Sequence, residues 1–88
     1  MKKSNEKHFS LEKAFGQVLR EIRKDRGLSQ EELGFESGQH RTYISQLERG
    51  QKSPSLRTIF QLSQALRVEP SDLIGRFQDM FLRSKKHS

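Results

Sequence analysis

The sequence predicts an all-α fold, one compact domain of five short helices, on three observations. Apolar residues recur at helical spacing in successive segments, and each segment is bounded by a glycine, a proline or a capping serine. No segment alternates with the period of two that a half-buried strand requires. The chain has 88 residues, too few to divide into two cores. With 31% hydrophobic residues, 32% charged residues and a mean hydropathy of −0.91, its core must be small.

Residues 1–9 carry Lys2, Lys3, Lys7 and His8 against Glu6 with no apolar period, and are expected to form a flexible basic arm. From Ser10 the pattern changes. Leu11, Phe15, Val18, Leu19 and Ile22 share one face of a first helix that Gly27 stops. Ser29 and Glu32 form a capping box for a second helix ending near Gly38, whose apolar residues are chiefly Leu33 and Phe35. Gly34 inside it costs about 1 kcal/mol relative to alanine, which suggests close approach by a neighbouring helix. The third helix, roughly 39–49, has Tyr43, Ile44 and Leu47 as its apolar stripe. Its polar face carries Arg41, Thr42, Ser45 and Gln46, and Gly50 ends it. A turn around Pro54 leads to Ser55 as N-cap of a fourth helix with Leu56, Ile59, Phe60, Leu62 and Leu66. Residues 67–70 break that helix, Ser71 is expected to cap the fifth, and Leu73, Ile74, Phe77, Met80 and Phe81 carry its stripe to about Leu82. The domain therefore spans 10–82, followed by a basic tail over 83–88.

Seventeen Lys and Arg against eleven Asp and Glu give a net charge of +6, a surplus suited to a polyanion. It is unevenly placed. Residues 27–38 hold Glu31, Glu32 and Glu36 with no base, whereas 39–57 hold Arg41, Arg49, Lys52 and Arg57 against Glu48. The absence of cysteine excludes a disulfide framework, a thiolate metal site and a thiol nucleophile. His8, His40 and His87 are too scattered for a metal site, and no cofactor is expected. No run approaches the roughly 20 apolar residues of a membrane span and no signal peptide is visible, so the expected location is the cytoplasm. With no paired histidines and no nucleophile beside a base, an enzyme is not expected.

Two short helices joined by a glycine-containing turn, the second with a small-polar and arginine face, are the sequence form of a helix-turn-helix. The runs L-S-Q-E-E-L, Y-I-S-Q-L-E-R-G and V-E-P-S-D-L, with the Pro54-Ser55 turn, occur in order between Phe15 and Ile74. Together they resemble the lambda-repressor-like, or XRE/Cro, family. The resemblance implies a sequence-specific regulator of transcription that binds double-stranded DNA. H-R-T-Y-I-S-Q-L-E-R-G is similar to the controller proteins of restriction–modification systems, with phage-type repressors close behind. Two positions depart from the family pattern: Gly34 stands where alanine is common, and Ser37 replaces a small apolar residue, so the second helix is expected to be locally weaker.

A recognition helix in the major groove puts its N-terminal residues against base edges, which makes Arg41, Thr42, Ser45 and Gln46 the candidates for base readout. Arg41 matches the two acceptors of guanine, and Gln46 the donor–acceptor pair of adenine. Gln30 at the second helix's N-terminus, Tyr43, and Lys52, Ser53, Ser55 and Arg57 beyond the recognition helix are candidates for the DNA backbone. Glu48 would repel DNA if it faced outward, so it is expected to turn toward Arg23, an ion pair the family resemblance also implies.

Leu73, Phe77, Met80 and Phe81 are apolar residues that four helices cannot all cover, so they are expected to pair two copies into a homodimer reading a palindrome. The alternative is that the stripe folds back on its own core. A second functional class, an antitoxin-type module gripping a toxin through the same stripe, predicts a toxin gene next door. A basic RNA-binding protein lacks the glycine-rich loop or aromatic platform that single-stranded recognition uses.

Overall fold

The structure, a computed structural model, describes residues 9–86, so residues 1–8 of the expected arm lie outside it. Five helices follow in order: α1 (Leu11–Asp25), α2 (Gln30–Ser37), α3 (Arg41–Glu48), α4 (Leu56–Leu66) and α5 (Pro70–Lys86). Among the described residues there is no strand.

The ends are set by local chemistry. Ser10, Ser29 and Ser55 cap α1, α2 and α4 by accepting from the N–H groups of Lys13, Glu32 and Thr58, and Glu32 returns the bond to Ser29. Gly27, Gly38 and Gly50, at φ near +75°, reverse the chain after the first three helices, a conformation that costs glycine nothing. α5 begins at Pro70, one residue before the expected Ser71 cap. Proline needs no N–H partner in a first turn, and the Glu69 carbonyl takes the N–H groups of Asp72 and Leu73. The helix also runs past Leu82 to Lys86, so most of the expected tail is helical. Nothing in that segment breaks a helix, and Ser84 faces inward, accepting from the Phe9 N–H at 3.2 Å.

α1 lies against α3 and α5, α2 against α3 and α4, and α4 against α5. Their shared core is Phe15, Val18, Leu19, Ile22, Leu33, Ile44, Leu47, Ile59, Leu62, Leu66 and Leu73. Four residues expected on the buried faces of the first four helices are exposed instead, beginning with Leu11, 52% exposed in the first turn of α1. Phe35 is 88% exposed, because α2 turns Leu33, Gly34 and Ser37 inward and leaves Phe35 on the far side. Leu56 and Phe60 are 78% and 59% exposed, because α4 buries Ile59, Leu62, Ser63 and Leu66 and keeps those two on its flank.

The expected weakness of α2 has a different meaning in three dimensions. A Cβ on Gly34 would lie 2.7 Å from the Gln39 carbonyl oxygen, so the turn into α3 closes over a site that alanine could not occupy unchanged. Ser37 is buried and donates its hydroxyl to the Leu33 carbonyl at 2.7 Å. Gly16 repeats the device on α1, where a Cβ would meet the Glu48 carbonyl oxygen at 2.6 Å. Two missing side chains thus let α2 and α1 approach the ends of α3 at backbone distance.

The expected dimer stripe is partly spent within the chain. Leu73 is fully buried in the core and cannot contact a second copy. Phe77 sets its ring edge-on to Phe15, with centroids 6.0 Å apart, and Met80 packs against the same core. Phe81 stacks at a tilt on Phe77 at 6.4 Å, with Lys85 5.4 Å above its ring.

Candidate nucleic-acid interface

α3 exposes one continuous polar face. Ile44 and Leu47 point into the core and Tyr43 packs half-buried against it, which turns Arg41, Thr42, Ser45 and Gln46 to the other side. Arg41 and Thr42 at the N-terminal end are exposed, whereas Ser45 and Gln46 are half-buried. Arg49 continues this face, eight residues after Arg41 and four after Ser45. Among the described residues, none of Arg41, Arg49, Lys52 and Arg57 has an ion-pair partner.

The helix is held at both ends. At its start the cap is His40, whose Nδ1 accepts from the Thr42 N–H at 3.3 Å, a role that needs an unprotonated nitrogen there. Just before it, the Gln39 amide donates to Gln61 Oε1 on α4 at 2.6 Å. At its end, Glu48 takes a two-pronged bond from Arg23, Nε to Oε2 at 2.6 Å and Nη2 to Oε1 at 3.0 Å. The two side chains are only 10% and 4% exposed, and Arg23 also donates to the Leu28 carbonyl at 2.8 Å. Gln30 completes the group by donating its amide to Glu48 Oε1 at 3.0 Å. One carboxylate therefore ties α1 and α2 to α3, and the planar fork of Arg23 fixes the angle.

The backbone candidates divide. Lys52 and Arg57 are exposed on the turn and the first turn of α4. One N–H of the Gln30 amide is directed to Glu48. The Ser53 hydroxyl donates to Glu12 Oε2 at 2.8 Å, and that donor draws the Glu12 carboxyl below its ordinary range. Ser55 accepts from the Thr58 N–H and donates to Thr58 Oγ1 at 3.0 Å. Neither serine has a hydroxyl proton left to give, so any phosphate contact by them falls to their backbone N–H groups.

Sequence reading passed over His40, Gln39, Gln61, Glu12 and Arg49. Arg49 was detectable, since its spacing from Ser45 places it on the polar face of α3; His40 acts as a local cap, and Gln39, Gln61 and Glu12 act through contacts between distant segments. No group of His, Asp or Glu among the described residues could hold a metal ion, and no helix of the described residues is long and apolar enough to cross a membrane.

A short helix braced at its back, with an exposed arginine and small polar groups at its N-terminal end and unpaired cations on either side, defines a helix-turn-helix DNA-binding regulator. Residues 19–73 match the helix-turn-helix family model, and the chain belongs to that family. Within it, the chain is 51% identical over 61 residues to the control protein C.BamHI of Bacillus amyloliquefaciens, covering 68% of this chain and 75% of that one. The crystal structure of the restriction–modification controller protein C.AhdI of Aeromonas hydrophila superposes with a TM-score of 0.68 at 51% identity, over 69% of this chain and 92% of that one. C.Esp1396I, a controller solved as a tetramer on its natural 35 base-pair operator, superposes with a TM-score of 0.76 at 25% identity, over 85% and 99% of the two chains.

Proposed function

We propose that this protein is a controller of the restriction–modification type that binds a palindromic operator as a homodimer and regulates transcription in the cytoplasm. It acts by binding, without catalysis. The observation that carries this reading is the exposed face of α3, with Arg41 and Thr42 free at its N-terminal end and the helix braced by Glu48. Arg41 reads guanine, Gln46 adenine, and Thr42 and Ser45 adjust the fit, while Tyr43, Gln30, Lys52, Arg57 and the Ser53–Ser55 backbone hold the phosphates. The 51% identity to two controllers favours this subfamily over a phage-type repressor.

A dimer supplies the second half-site, about one helical turn or ~34 Å away. The apolar surface best suited to pairing differs from the stripe expected on α5. Leu11, Pro54, Ile59, Ile74 and Phe77 line an apolar hollow of about 190 Å³, with Glu12, Phe15 and Ser53 at its edges. Leu56, three residues before Ile59, and Phe60, four after Leu56, are exposed on the neighbouring flank of α4. Leu11, Leu56, Phe60 and Ile74 are all on the exposed side, and apolar groups gathered in this way mark an association surface. Phe77 lines the hollow from α5, whereas Phe81, stacked on Phe77, is not part of its lining.

Selection of bound sites from random duplexes tests the reading, and a symmetric consensus is expected. Arg41→Ala should then lose about 1–3 kcal/mol of discrimination at one base pair per half-site. An Arg41→Ala protein that selects the same consensus at the same affinity refutes the readout assignment.

A further inference from the structure

A groove of about 460 Å³ lies between the first turns of α1 and the C-terminal end of α3, lined by Phe9, Lys13, Gln17, Glu48, Arg49 and Gln51. Its cations are left over by the fold. Lys13 and Arg49 are exposed, and among the described residues neither has an ion-pair partner. The acids nearby are engaged: Glu48 is neutralised by Arg23, Glu12 accepts from Ser53, and Glu21 accepts from the Gln17 amide at 3.1 Å. Arg49 makes only a long contact to Gln51 Oε1 at 3.5 Å.

The stem of Lys13 lies on Gly50, where a Cβ would come 2.6 Å from Lys13 Cγ. The Lys13 side chain therefore leaves α1 beside the end of α3. Arg49 stands on the reading face four residues beyond Ser45, so the groove opens where that face ends. Beside the Phe9 ring and the Arg23-paired Glu48 it offers two cations without ion-pair partners and two side-chain amides, and that unbalanced positive charge suits an anionic backbone. Lys2, Lys3 and Lys7 precede Phe9 in the sequence and add charge of the same sign.

We infer that this groove is a second phosphate-binding track, in which Lys13 and Arg49, assisted by Gln17 and Gln51, contact the DNA backbone on the flank of each half-site, at the opposite end of α3 from Arg41. It rests on the DNA-binding reading above and extends the contacted strand beyond the phosphates reached by Lys52 and Arg57. The competing role is structural: both cations also sit at the negative end of the α3 dipole.

The full chain is titrated against its selected operator and against a scrambled duplex, between about 50 and 200 mM salt. Wild type is compared with Lys13→Ala, Arg49→Ala, the double variant, and Lys24→Ala, an exposed α1 cation outside the groove. Each groove variant should lower the slope of log Kd against log salt by about one on both duplexes, and the double variant by about two. Lys24→Ala should leave it unchanged. In addition, neutral methylphosphonate linkages at the flanking phosphates should weaken wild type several-fold and leave the double variant unaffected. A double variant with the wild-type slope overturns the inference, as does a lowered melting temperature with no change in slope, or an equal drop in Lys24→Ala. If wild type shows no preference for any selected duplex, the DNA-binding reading itself fails, which the slopes alone would not decide.

Discussion

α3 and α5 are both amphipathic, yet their sequences disclose them unequally. In α3 the two faces differ in chemistry: Tyr43, Ile44 and Leu47 go inward, and Arg41, Thr42, Ser45 and Gln46 are left outside. Spacing alone sorts them. In α5 the residues to be sorted are all apolar, and the pattern does not say whether a leucine or phenylalanine faces its own core or a second copy. Leu73 disappears into the core, Phe77 and Met80 lie half-buried against it, and Ile74 remains 37% exposed. A polar face is defined by what it excludes, whereas an apolar surplus must be divided by geometry that no single segment contains.

The largest expected effect lies on the α3 side of the comparison. Arg23→Ala would leave the Glu48 carboxylate buried without its cation and the Leu28 carbonyl without its donor. Loss of one partner of a buried pair costs about 3–5 kcal/mol, a large share of the stability of so small a domain. Chemical denaturation should show this as a shifted midpoint with an unchanged slope. A loss below about 1 kcal/mol would mean that the pair does not brace α3.

Gly34→Ala comes next, with about 1–3 kcal/mol from overpacking against the Gln39 carbonyl, although alanine is the better helix former by about 1 kcal/mol. Stabilisation by this substitution would show that the turn yields easily. A close approach at Gly34 is legible in the sequence, but what approaches is not: it is the backbone of Gln39 and Arg41 leading into α3. The same limit hid the Gln39–Gln61 and Glu12–Ser53 contacts, which join residues 22 and 41 positions apart. By contrast, the capping box at Ser29, the glycine turns, the Arg23–Glu48 pair and the exposed face of α3 were legible because each rests on local pattern or a strong electrostatic requirement.

On the α5 side, Leu56→Asp with Ile74→Asp should change folding stability of the monomer little, within about 0.5 kcal/mol for surface positions. Sedimentation should nevertheless show the mass falling from dimer to monomer, with operator affinity falling too. Phe77→Asp is the contrasting variant. Its ring lies against Phe15, so a charge there should destabilise the fold itself. If the Leu56 and Ile74 pair leaves the dimer intact while Phe77→Asp dissociates a folded protein, the division of α5 drawn above is reversed.

The smallest effect concerns the turn that leads from α3 to α4. The Ser53 hydroxyl holds Glu12 below the ordinary carboxylate range, so its bond to the ionised form favours the folded state. That contribution is fully present above the ordinary value and is lost as pH falls through the depressed one. Ser53→Ala should therefore raise the Glu12 pKa toward its ordinary value, seen by carboxyl NMR titration, and flatten the acid limb of the stability curve there. It should not weaken DNA binding much at neutral pH, because the proton it removes was already given to Glu12 and not to a phosphate. A marked loss of affinity, with Glu12 titrating as before, would mean that the hydroxyl turns from Glu12 to the DNA in the complex, making Ser53 a backbone contact through its side chain.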